Sequence, residues 1–155
     1  MTLAVLIEDP ELWDAGVDVV GIADWHTFFK KMPPWRGVLR VNEYGDPNGG
    51  EAGFLREISP IHRAGAIVAP LLVIHGRNDP RVPVGESTQI AGAVKQAELR
   101  IFEDEGHGVA SLANRVTANR RILEFLAAHL VQHRRHVPEV GGAEDAGRRF
   151  GCWGP

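Results

Sequence analysis

Residues 70–87 read PLLVIHGRNDPRVPVGES. The unbroken apolar run, bounded by Pro70 and Gly76, describes a strand buried on both faces, as in the middle of a parallel sheet. It stops on Gly-Arg-Asn-Asp-Pro, which breaks the strand and places Asp79 at the sheet edge. Pro80 biases Asp79 toward extended backbone and takes away one local N–H donor, so the carboxylate is expected to act elsewhere. Taken by itself, Asn-Asp-Pro is also an ordinary turn sequence.

Working outward, helix is expected over about 86–96, strand over ELRIFED (98–104) and a long helix over about 111–131. In that helix Leu112, Val116, Leu123, Leu126 and Leu130 share one face, which predicts the buried side. Upstream, AGVDVVGIAD (15–24) is rich in β-branched residues and reads as a buried strand ending at Asp24. Residues 1–8 read as the end of a helix, 25–32 as a short helix or turn, and 35–45 as another helix closed by the loop GDPNGG. Ser59-Pro60 reads as a cap opening a short helix through Ala64. Strand and helix alternate, which argues for parallel βαβ units with helices on both faces and working residues at the carboxyl ends of the strands. Residues 132–155 have no periodicity and many glycines, so a disordered tail is expected beyond a domain of residues 1–131.

The second strand end carries FEDEGHGVAS (102–111). His107 lies between two glycines, which lets the backbone make a tight loop and thrust the imidazole outward. An acid after one parallel strand and a Gly-flanked His after the next are what a Ser-Asp-His relay requires. The Asp fixes the imidazole tautomer, and the His removes and returns a proton.

These stretches, together with FLREISPIHRAGAIVAPLLVIHG (54–76), resemble the α/β-hydrolase-fold serine peptidases of the prolyl oligopeptidase group, in its acylaminoacyl-peptidase and dipeptidyl-peptidase branches. The resemblance covers about residues 1–131. It implies an incomplete α/β-hydrolase fold, the C-terminal part of a mostly parallel sheet with flanking helices. It also implies Asp79 as triad acid, His107 as triad base, a short peptide or acyl-peptide substrate, and no metal or organic cofactor. Such a site needs a Gly-x-Ser-x-Gly elbow. The serines here are Ser59, Ser87 and Ser111, and none has that setting. MTLAVL matches the stretch just past the elbow in that group, so the elbow is expected upstream of Met1, and the 155 residues alone are expected to be inactive. The strand near 16–23 then becomes an open apolar edge, through which copies could associate. Two rival readings are a carboxylesterase-type hydrolase, which shares the acid and His loops, and a non-catalytic binding or assembly module.

Composition narrows the rest. A length of 155 residues suits one domain, and 44% hydrophobic with 24% charged residues is ordinary for a globular protein. The net charge of −3 forms no basic stripe, so nucleic acid is not an expected partner. A single cysteine, Cys152, rules out an internal disulfide and a CxxC zinc site. The apolar start is too short for a leader or membrane span, which makes a cytoplasmic location and no membrane partner the expectation. Glu103, Asp104 and Glu105 are not expected to bind metal, because neighbouring carboxylates on a strand end point different ways and no second His stands at ligand spacing. Trp25, Phe28, Phe29 and Trp35 follow the Asp24 strand end and are candidates for a substrate pocket, although such aromatics also serve as simple core.

Overall fold

The computed structural model describes residues 1–130; the tail expectation for 132–155 lies outside them. Three strands, β1 (Gly16–Val19), β2 (Leu71–Gly76) and β3 (Ala97–Phe102), form a parallel sheet in the order β1-β2-β3. Gly16 is in register with Leu71, and Leu71 with Ala97. The helices are α1 (Thr2–Glu8), α2 (Trp25–Lys30), α3 (Pro34–Tyr44), α4 (Ala52–Glu57), α5 (Gly85–Ala93) and α6 (Leu112–Leu130), with a 3-10 turn at Pro60–Ala66. None is long and apolar enough to cross a membrane.

Every residue of β2 is buried, which is why its sequence shows no polar alternation. Its side chains still alternate between faces. Leu71 and Val73 pack with Leu3, Leu6 and Ile7 of α1 and Ile90 of α5. Leu72 and Ile74 pack with Phe102 of β3 and Ala118 and Phe125 of α6. Arg121 of α6 also pairs with Glu98 of β3.

The structure refines three expectations and adds one helix beyond those expected. β1 covers only 16–19. At Val20 the chain enters the left-handed region, φ 54°, which β-branched residues rarely adopt. Its N–H still reaches Ile74 O at 3.0 Å before the chain turns away. The turn packs Gly21 against the Asp18 carboxylate, where a Cβ would come within 2.2 Å of Oδ2. Second, of the five residues expected on the buried face of α6 only Leu126 packs against the core. Leu112, Val116, Leu123 and Leu130 are exposed, whereas Ala118 and Phe125 are buried with Ile122 and Leu126 against them. Third, Ser59 stands at the N-cap of the 3-10 turn with Pro60 behind it, as expected, but its hydroxyl makes no capping bond: it donates to Leu55 O (2.6 Å) and accepts from Trp25 N (3.0 Å), tying α4 to α2. Fourth, α4 forms where the sequence pattern gives no helix.

Candidate active site

The ends of β2 and β3 are laced together. Arg77 N donates to Phe102 O (2.8 Å), Asn78 N to Glu105 O (2.9 Å) and Asn78 Nδ2 to Glu103 O (2.8 Å). The Arg77 guanidinium grips Glu103 with two bonds of 2.8 Å. Gly76 is where the two loops touch: a Cβ there would stand 2.2 Å from Gly106 O. Only glycine permits that approach.

From this junction Asp79 projects its carboxylate. Oδ1 accepts from Arg81 N (2.7 Å) and Val82 N (3.0 Å). Removing the Pro80 donor therefore does not leave the carboxylate unoccupied. The next two N–H groups take one oxygen, and Oδ2 is the one turned away from its own loop. Burial by itself would raise this carboxyl, but the Val82 and Arg81 N–H groups and the His107 ring outweigh it and hold it below its ordinary value.

His107 is carried by a loop that closes on itself. Gly106 and Gly108 form a bridge, and Gly108 has φ 106°, open to glycine but costly for other residues. Glu105 locks the loop by accepting from Ala110 N (2.9 Å), Ser111 N (3.0 Å) and Asn114 Nδ2 (2.7 Å). The imidazole Nδ1 meets Asp79 Oδ2 at 2.8 Å. A carboxylate only accepts, so Nδ1 carries the hydrogen, and in the neutral ring Nε2 is the nitrogen that presents a lone pair. The acid is fully covered and the imidazole side chain about one-third exposed. This is the geometry of a base held in one tautomer by a buried acid. Glu103, Asp104 and Glu105 serve Arg77, Asn114 and the α6 entrance respectively.

A cavity of about 670 Å³ opens at the carboxyl end of β1, lined among others by Asp18, Val20, Ile22, Trp25, Pro60 and Val82. Val82 belongs both to this wall and to the Asp79 hydrogen-bond set. Trp25 meets Phe28 edge-on, centroids 5.6 Å apart, and lies 4.7 Å from Tyr44. Phe28 is core, packed with Met32 and Val82. Phe29 lines a second hollow on the far side of α2. Trp35 is 70% exposed and does not share the cluster; Tyr44, which carries no sequence signal of its own, takes that place beside Trp25. The wall is held from below by Glu86, fully buried, which accepts from Ala23 N, Asp24 N, Thr27 Oγ1 and Gln89 Nε2. Asp18 is also buried, but its Oδ2 has no hydrogen-bond partner, and burial raises its carboxyl. Neither Glu86 nor Asp18 had a sequence signal beyond being a charge inside an apolar context.

The profile of the prolyl oligopeptidase family matches residues 1–133. The chain belongs to the prolyl oligopeptidase family. A dipeptidyl aminopeptidase BIII of Pseudoxanthomonas mexicana is 38% identical over 158 aligned residues, covering 96% of this chain and 22% of that protein. Among solved structures, an acylaminoacyl peptidase of Pyrococcus horikoshii superposes with TM-score 0.73 at 25% identity, over 86% of this chain and 23% of the other. A puromycin-hydrolyzing peptidase of Mycobacterium tuberculosis gives 0.71 at 26%, over 80% and 19%. The chain thus spans about a fifth of these prolyl oligopeptidase relatives. Its three parallel strands and flanking helices correspond to part of an α/β-hydrolase fold.

Proposed function

We propose that this chain is the acid-and-base portion of a serine-type peptidase that hydrolyses peptide or acyl-aminoacyl bonds in short peptides. The observation that carries this reading is the 2.8 Å contact between His107 Nδ1 and the covered Asp79 Oδ2 at adjacent strand ends, in a chain of this family. His107 Nε2 removes the proton from a serine hydroxyl as it attacks the carbonyl, then delivers it to the leaving amine. Asp79 keeps the ring oriented and stabilises the imidazolium as it forms. The serine comes from an elbow that the 155 residues do not contain, so the isolated chain does not turn over substrate. The Trp25 wall beside Val82 supplies part of the pocket for the residue next to the scissile bond.

Two measurements test this. The isolated chain should take up no stoichiometric fluorophosphonate label. A longer polypeptide that carries a Gly-x-Ser-x-Gly elbow ahead of residue 1 should hydrolyse aminoacyl-p-nitroanilides, and His107→Ala or Asp79→Asn should lower kcat at least about a thousandfold. Full activity in the His107→Ala form would end the proposal, and p-nitrophenyl esters cleaved in strong preference to every anilide would transfer it to the esterases.

A further inference from the structure

Behind the Asp79–His107 pair lies a second histidine. His75, the fifth residue of β2, is fully buried on the sheet face that carries α5. Its Nε2 meets Val82 O at 3.0 Å and lies 3.3 Å from Asp79 Oδ2. Both oxygens only accept, so Nε2 bears a hydrogen. Nδ1 meets the hydroxyl of Ser87 at 2.6 Å, and Ser87 is buried in the first turn of α5. The hydroxyl rotor can donate there, and doing so selects the tautomer in which Nε2 is the protonated nitrogen. Val82 is held through both of its backbone polar groups, since its N–H binds Asp79 Oδ1 and its C=O accepts from His75.

We propose that His75 and Ser87 are positioning residues for the acid–base pair, a buried brace in which the Ser87 hydroxyl sets the His75 ring and the His75 N–H fixes the Val82 carbonyl, while the Val82 N–H holds the other oxygen of the Asp79 carboxylate that faces His107. This rests on the triad reading of Asp79 and His107. Asp79 Oδ2 lies between two imidazoles, hydrogen-bonded to His107 at 2.8 Å on the solvent side and 3.3 Å from His75 Nε2 on the core side, while Oδ1 is held by the Val82 and Arg81 N–H groups. A hydroxyl at 87 and an imidazole at 75 are needed for their hydrogens, beyond the space they fill.

The test uses the whole 155-residue chain, labelled with 15N-histidine, in long-range proton–nitrogen spectra; His75→Gln and His107→Gln assign the two rings. In the unaltered chain His75 should be the Nε2–H tautomer; finding hydrogen on Nδ1 instead would falsify the brace without any other variant. Ser87→Ala should cut the Nδ1–H fraction of His107 by at least half, and Ser87→Thr, which restores a hydroxyl, should recover it. Thr88→Ala, on the exposed neighbour in the same turn, should leave it unchanged. A Ser87→Ala chain that loses thermal stability but keeps the His107 tautomer overturns the proposal and leaves the triad reading intact, as does Thr88→Ala acting like Ser87→Ala. If His107 shows no Nδ1–H bond to Asp79 in the unaltered chain, the triad reading fails first.

Discussion

Asp79 accepts two backbone hydrogen bonds and one from His107, while Asp18 on the neighbouring strand keeps an oxygen with no partner. Their carboxyls move in opposite directions from the same ordinary value of 3.8. For Asp79, depressed on folding, the stabilisation is fully present above 3.8 and is lost as pH falls through the lower folded value. Asp79→Asn should therefore flatten the acid limb of a stability–pH curve measured by thermal unfolding. For Asp18, raised by burial, the sign reverses: stability is highest when both states are protonated, declines as pH rises from 3.8 to the higher folded value, and then levels. Asp18→Asn should raise stability at pH 7 and leave it unchanged at pH 3; an equal change at both would show that charge is not the cause. That Asp79 and His107 stand together at adjacent strand ends was legible because Pro and Gly punctuate the chain around them. His75 was legible as a buried packing or hydrogen-bonding residue but its partners were not, and Asp18 and Glu86 were not legible at all, since a buried polar residue acquires its meaning only from what packs around it.

At the scale of elements, α6 carries two apolar stripes, and periodicity cannot say which one meets the sheet. Leu112, Val116, Leu123 and Leu130 form the more regular one, yet Phe125 is the side chain that fills the space over Leu72 and Ile74. Phe125→Ala should cost about 3–5 kcal/mol in denaturant unfolding. Leu123→Ala, 68% exposed, should change stability by no more than about 0.5 kcal/mol. The reverse order would restore the sequence-based face. Gly76 makes a second element-level case. Gly76→Ala drives a methyl group into the Gly106 carbonyl, so β2 and the His107 loop must separate, at a cost of about 1–3 kcal/mol. The same change should remove the downfield proton signal of the His107–Asp79 bond. Helix α4 leaves little trace in the sequence because it is a single short turn-and-a-half between Gly50 and Ser59, stabilised mainly by Leu55 and by Ser59 reaching back to it.

For the whole molecule, the alternation of apolar runs and breaker residues was enough to foresee a parallel sheet with helices on both faces, because βαβ connectivity leaves few other arrangements. It could not foresee that β1 would be four residues long, since Val20 adopts a backbone conformation its residue type disfavours. Among the described residues β1 pairs on one side only, with β2, and Val19 is 44% exposed. We expect copies to associate through that edge. Sedimentation velocity should show concentration-dependent self-association of the 155-residue chain, weakened by Val19→Lys; a monomer at every concentration would refute it. The buried Glu86 gives the fold a different kind of constraint. Its four donors come from residues 23–27 on one side and from α5 on the other, so two stretches far apart in the chain share one carboxylate. An engineer who wishes to graft a foreign pocket wall onto this scaffold must therefore transplant residues 23–29 together with the opening of α5. Replacing residues 23–29 without α5 strands the Glu86 carboxylate in the interior with three of its four donors withdrawn.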